Sequence, residues 1–206
     1  KNVKHGINIF TSPSDEEQVK VELNGVTVRD CNGYGVVNNA SDLTVTDIET
    51  SGNEWGGINV DPKAGNNASF TMNSGKITES NSVYFENTNS EAGASVEAAI
   101  KDGIFKGSVA VNGNNTDVTI SGGTFEGKVM AADKESINIV SGTFTNDVND
   151  YLDKDSNIVK DKDGNYVVMD EEEYEDYLDD KKSHGSSYEL EEKNGGSKKD
   201  EKEEEP

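Results

Sequence analysis

Between residues 100 and 148 the chain states one phrase three times: Ile100-Lys-Asp-Gly-Ile-Phe-Lys-Gly-Ser-Val109, Ile120-Ser-Gly-Gly-Thr-Phe-Glu-Gly-Lys-Val129 and Ile139-Val-Ser-Gly-Thr-Phe-Thr-Asn-Asp-Val148. The copies start 20 and then 19 residues apart, and each keeps an aliphatic, a Gly three on, a Phe five on and a Val nine on. A period of about 20 marks units that cannot bury an apolar face alone and must stack on their neighbours. Stacking would set Phe105, Phe125 and Phe144 one above another as an interior ladder.

The same beat runs backwards with looser spacing. Val21-Glu-Leu-Asn-Gly-Val-Thr-Val28 and Leu43-Thr-Val-Thr-Asp-Ile-Glu-Thr50 lie 22 residues apart and alternate apolar with polar, the pattern of a strand with one buried face. A further turn begins at Phe70-Thr-Met72 and continues through Ile77. Each unit adds a second short strand: Gly35-Val-Val-Asn38, Gly57-Ile-Asn-Val60, Val83-Tyr-Phe-Glu86, Val109-Ala-Val-Asn112 and Val129-Met-Ala-Ala132. Asn38, Asn59 and Asn112 in these strands suggest a stacked ladder of side-chain amides. Gly6-Ile-Asn-Ile9 has the same form with no first strand before it, so the chain is expected to begin midway through a coil of a longer protein. Uneven polar excursions at residues 11–18, 61–67 and 87–93 belong on loops, often the binding side of a repeat protein.

Beyond Val148, Asn157-Ile-Val-Lys-Asp-Lys-Asp-Gly-Asn-Tyr-Val-Val168 predicts two strands about an Asp163-Gly164 turn, a hairpin placed to cover the last open coil. Residues 170–180, acidic with Tyr174, Tyr177 and Leu178, predict a marginal helix, and residues 181–206 have almost nothing to bury and are expected to be disordered. The division is therefore a parallel β-helix over 1–150, a capping hairpin over 151–169 and an acidic low-complexity linker over 170–206. The class is all-β, a solenoid of about six coils. An apolar fraction of 31% with 21 glycines fits many short strands and tight turns.

Charge excludes several partners. The net charge is −22, of which residues 170–206, with 16 acids and 6 bases, supply −10. Arg29 is the one arginine, so neither a nucleic-acid backbone nor an anionic membrane finds a basic patch. No apolar run approaches the roughly 18 residues of a membrane span. Cys31 is single, which removes an intrachain disulfide or thiolate cluster and predicts a small apolar residue packed inside a coil.

The Ser-Gly-Gly-Thr-Phe-x-Gly-x-Val repeats, the Asp-Val-Asn-Asp-Tyr-Leu152 segment and the Gly-Asn-Tyr-Val-Val168 hairpin resemble the right-handed parallel β-helix (pectate-lyase-like) regions of large surface proteins from Gram-positive bacteria. The resemblance covers roughly residues 6–168. It implies a secreted or wall-attached location, with the Lys/Glu tail as the start of a linker toward an anchoring signal. Relatives of that kind include polysaccharide lyases and hydrolases as well as domains without activity, and fold alone does not choose between them.

Candidate chemistry follows two lines. Tyr34 and Trp55 sit in Gly-rich polar sequence, and the 22-residue offset aligns Trp55 with Gly33, so the rings should be neighbours on adjacent coils. With Asn53 and Glu54 they would make a platform for a glycan such as a host or cell-wall polysaccharide, ring face to sugar face and polar groups at the edge; the alternative is that the rings cover a coil corner. An enzyme would need paired carboxylates, drawn from Asp30, Asp47, Glu54 and Asp61, with Arg29 or Lys63 as a lyase base. None of these falls in a motif, so a non-catalytic binding, adhesive or spacer module ranks first and a polysaccharide lyase or hydrolase second. No cofactor is expected. His5 and His184 lie in a frayed start and a flexible tail, unsuited to a metal site or triad. Asp161-Lys-Asp-Gly-Asn165 lacks the calcium-loop spacing and reads as a turn, leaving room only for weak calcium binding.

Overall fold

The computed structural model describes residues 3–63 and 66–184. The chain climbs rung by rung. After β1 (Ile7–Phe10), the first full rung is β2 (Lys20–Asn24), β3 (Thr27–Arg29) and β4 (Tyr34–Asn39). The second is β5 (Asp42–Thr46), β6 (Ile48–Ser51) and β7 (Gly56–Asp61), and the third β8 (Ala68–Met72), β9 (Gly75–Ile77) and β10 (Asn81–Glu86). Then come β11 (Val96–Ile100), β12 (Ile104–Phe105) and β13 (Ser108–Asn112), followed by β14 (Thr116–Phe125), β15 (Val129–Ala131) and β16 (Ile137–Phe144). A hairpin of β17 (Asn157–Lys160) and β18 (Tyr166–Met169) leads to helix α1 (Glu171–His184).

Strands β1, β4, β7, β10, β13 and β15 form one parallel sheet of six. The others curl into a second sheet of two wings, β2-β5-β8-β11 and β3-β6-β9-β12, joined through the long β14. The architecture is a parallel β-helix-like stack. The first four rungs thus give three strands where the sequence suggested two, because the alternating phrases at 21–28 and 43–50 are broken at a corner, whereas β14 and β16 run on through theirs. Gly25 and Asp47 occupy those corners with φ of 64° and 51°, and Gly75, Gly103, Gly123 and Gly142 serve the later rungs. This explains the Gly of the repeated phrase. The turn needs positive φ, and a Cβ at Gly142 would come within 3.1 Å of the Phe144 ring beside it.

Inside, the phenylalanine ladder forms as the spacing requires. Phe105, Phe125 and Phe144 are fully buried, with ring centroids 4.6 and 4.7 Å apart and planes within 10° of parallel. Phe70 and Phe85 fill the rung before them. Cys31 packs in this core, its thiol pKa pushed up by burial and by the nearby carboxylates of Asp30 and Glu79.

The asparagine ladder does not form. Register places Asn38 beside Val60 on the inner face, and Asn59 beside Val37 and Tyr84 and Asn112 beside Glu86 on the outer face two positions apart, so no two of these amides stack. Asn38 instead tightens a corner. Its Nδ2 donates to the carbonyls of Ser41 and Ser69, and its Oδ1 accepts the Ser41 N–H. Asn87 repeats the device at the same corner two rungs on, donating to Ala94 O and Asn114 O. The polar excursions lie at this same corner and stitch to one another through Asn66 to Ser12 O and Asn89 to Pro62 O.

The hairpin covers the far end: β18 runs antiparallel to β16, pairing Val168 with Gly142 and Tyr166 with Phe144. Helix α1 starts in a capping box, Asp170 Oδ1 accepting the Glu173 N–H and Glu173 reaching back to the Asp170 N–H. It runs through His184, four residues into the stretch expected to be unstructured; residues 185–206 lie outside the described part. No described helix is long and apolar enough to cross a membrane.

Candidate functional site

Three consecutive strand starts of the six-stranded sheet bring three rings together. Tyr34 opens β4, Trp55 immediately precedes β7, and His5 precedes β1 by two residues. The Trp55 N–H donates to Gly33 O at 3.1 Å, which fixes the rung offset that the sequence implied. Tyr34 and Trp55 meet edge to face with centroids 5.9 Å apart, and Trp55 remains 50% exposed.

His5 completes the cluster, contrary to its expected place in a frayed start. Its ring lies 6.3 Å from Tyr34, nearly parallel, and 5.5 Å from Trp55, edge to face. The Tyr34 N–H donates to His5 Nδ1 at 3.1 Å, which requires a lone pair on that nitrogen. Burial, then the charge of Lys4, holds the imidazole below its ordinary pKa and keeps it neutral near pH 7. Lys4 Nζ stands 5.1 Å from the centre of the Trp55 ring, within cation–π range. A signal for His5 existed in the sequence. Aligning Ile7 with Val36, as β1 and β4 pair, puts His5 beside Gly33 and Tyr34. Gly33 makes the room, since a Cβ there would lie 2.7 Å from the imidazole.

Beside the rings the outer face of the six-stranded sheet is polar. Asn39 donates to Asn8 Oδ1, Asn59 to Glu86 Oε1 and Asn112 to the Tyr84 hydroxyl, each at 3.1 Å. Asn81 Nδ2 donates to Trp55 O, joining this face to the cluster. Burial, then the negative charge of Glu86, pushes the Tyr34 phenol up from its ordinary value, so it stays a neutral donor. Asn81, Tyr84 and Glu86 were not singled out as site residues, because Val83-Tyr-Phe-Glu86 reads only as one more second strand until register sets Tyr84 beside Asn59.

Of the other residues singled out, Glu54 is exposed next to Trp55, whereas Asn53 turns inward. Asn53 Oδ1 accepts the Cys31 N–H, and Nδ2 donates to Val28 O and to Glu79 Oε1. It holds the corner beneath the rings and does not face solvent. Glu79, also buried, takes a further bond from Thr50 Oγ1 at 2.7 Å. The carboxylates considered for catalysis sit at three different corners. Asp30 and Glu54 flank the turn into the six-stranded sheet, Asp47 the corner between wings, and Asp61 the corner that leaves the sheet, bonded to Lys63 and Thr88. Arg29 ends β3, away from Lys63.

The outer face of the other sheet carries two adjoining hollows of about 480 and 300 Å³ that share Asp117 and Thr119. The floor of the smaller is the outward row Thr71, Ala99 and Thr119, edged by Asp42, Glu97 and Asp117, whereas Lys134, Glu135, Asn138 and Asp150 border the larger. Among the described residues no group of three His, Cys, Asp or Glu side chains is arranged to hold a metal. Asp161 closes its own turn by accepting the N–H groups of Asp163 and Asn165 and the Asn165 amide, which also lower its pKa.

The chain matches no protein-family model, no curated protein and no solved structure.

Proposed function

We propose that this chain is a non-catalytic binding module of a secreted or wall-attached bacterial protein, a right-handed parallel β-helix that presents the His5–Tyr34–Trp55 cluster and the amide row beside it to a polysaccharide. The observation that carries the reading is the half-exposed indole of Trp55, braced edge to face by two rings and set against a surface of side-chain amides. A sugar offers one face of C–H groups and a rim of hydroxyls. A rigid ring supplies the first contact, and neighbouring amides and carboxylates the second. Ordering costs little, because hydrogen bonds between rungs already hold these groups.

Trp55→Ala removes the ring without touching the core. It should reduce retention on an array of bacterial and plant polysaccharides at least about tenfold, as loss of an interface aromatic does, with a thermal midpoint nearly unchanged. Equal retention by wild type and variant would overturn the proposal.

A further inference from the structure

Building on the reading of the Trp55 face as a polysaccharide site, we propose that its glycan is amine-bearing, a glucosamine-type polymer whose ammonium groups meet the Trp55 ring and the Glu86 carboxylate, and that polyuronates are rejected. Register fixes where these two groups stand. Trp55 immediately precedes β7, and Glu86 ends β10, the next strand of the same sheet, with Tyr84 beside Asn59 and Phe85 beside Val60. Their backbone positions are thus about 20 Å apart along the strands, a span that a short oligosaccharide bridges. Tyr34 lies between them. Its ring is laid over Gly56, where a Cβ would stand 2.9 Å from it, and meets the indole edge to face. Burial, and next the Glu86 carboxylate, raise the pKa of its phenol, so the ring reaches toward that group.

Both ends of this path accept positive charge. At the first, Lys4 Nζ stands 5.1 Å from the centre of the indole ring, so the chain itself shows that this π face takes an ammonium. Glu54 is exposed beside it. At the second, Glu86 is half-buried on the outer face, and its carboxylate accepts from Asn59 Nδ2 at 3.1 Å. Among the described residues neither Glu54 nor Glu86 has a Lys, Arg or His within ion-pair distance, whereas Asp61, beside Glu86 on β7, is neutralised by Lys63.

A half-buried carboxylate without a counter-ion favours a ligand that brings one. A sugar ammonium gives Glu86 a charge-assisted hydrogen bond, stronger than a hydroxyl can make. A uronate brings instead a third negative group between two uncompensated ones, in a chain whose net charge is −22. The sugar hydroxyls are served as well. Asn112 Nδ2 donates to the Tyr84 hydroxyl, so the phenolic proton of Tyr84 is directed to a further acceptor such as a sugar oxygen.

The test is calorimetric titration of the 206-residue chain with tetramers of glucosamine, N-acetylglucosamine, galacturonate and lysine. Salt at about 0.15 M, with a Debye length of about 8 Å, screens attraction to the overall charge but not touching pairs. The glucosamine tetramer should bind at least about tenfold more tightly than the other three. Glu86→Gln should lower its affinity about fivefold or more and leave the N-acetylated tetramer within about twofold. Glu97→Gln, which removes the same charge from the exposed face of the other sheet, should change neither, and both variants should keep the wild-type thermal midpoint. Preference for the N-acetylated or galacturonate tetramer, lost in Trp55→Ala, would overturn the amine-bearing ligand and leave the binding module standing. Equal losses in E86Q and E97Q, or tetralysine binding as tightly as the sugar, would reduce the effect to overall charge and overturn it too. Binding of no tetramer also overturns it, and retention of wild type and Trp55→Ala on the polysaccharide array then decides the module by itself.

Discussion

The two ends of the stack carry the same kinds of side chain and end in different surroundings. At the C-terminal end Ile139, Phe144 and Val148 are fully buried because β18 pairs with β16 and lays Val168 over them, with Tyr151, Leu152, Ile158 and Tyr166 packed around. At the N-terminal end of the described residues Val21, Leu23 and Val26 occupy comparable inward positions and are only partly buried. Residue type is not the difference. A rung is buried by the layer on its open side, and an antiparallel hairpin can supply that layer with a short turn, whereas one more parallel rung needs a long connection.

Substitutions at the two ends should separate them. The largest effect is expected at Phe144→Ala, which opens a cavity between the Phe125 ring and the hairpin and should cost about 3–5 kcal/mol in urea unfolding. Leu23→Ala should cost less, about 1–2 kcal/mol, because part of its methyl surface already meets water and its loss leaves no enclosed cavity. Equal losses would erase that contrast. Smaller again is Tyr151→Phe. The Tyr151 hydroxyl accepts the Ala131 N–H at 3.1 Å, and its removal should cost about 0.5–1.5 kcal/mol.

Acid should distinguish the ends without any substitution. The folded pKa of His5 lies below its ordinary 6.5, so the unfolded chain takes up the proton first. The contribution of neutral His5 is then complete above about 6.5 and is lost as pH falls through the lowered folded value. Protonation also removes the lone pair that accepts the Tyr34 N–H, so Trp55 fluorescence should change as the pH falls below 6.5 and through the lowered folded value, and stay constant in His5→Gln. Asp161 at the opposite end is shifted down from 3.8, and its contribution, present above that value, should survive to pH 5 and fade only in stronger acid. Amide exchange of Asp163 and Asn165 over the same range would report this, and loss of their protection by pH 5 would contradict it.

Much of the stack was legible because one phrase dictates it. The Gly and Phe of each copy serve the corner and the ladder, and Phe105, Phe125 and Phe144 could be placed by spacing alone. The asparagine ladder was misread because a strand is unforgiving of a one-residue difference: Gly35-Val-Val-Asn38 and Gly57-Ile-Asn-Val60 look alike, yet aligned glycines leave the two asparagines on opposite faces. The Tyr34–Trp55 pairing came from the offset, while His5 was missed because its rung lacks a first strand to announce it. Asn53 was grouped with the site by adjacency to Trp55. Alternation at a corner turned it inward, to Cys31, Val28 and Glu79.

By itself the sequence determined the period, the stacked parallel strands, the interior phenylalanines and the closing hairpin, because each follows from local alternation and a fixed repeat length. The tertiary structure decided which outward groups became neighbours. Those contacts depend on register between residues 19 to 29 apart in sequence, as in Ile139 beside Ile120 and Val36 beside Ile7, and variable loops set that register differently from rung to rung.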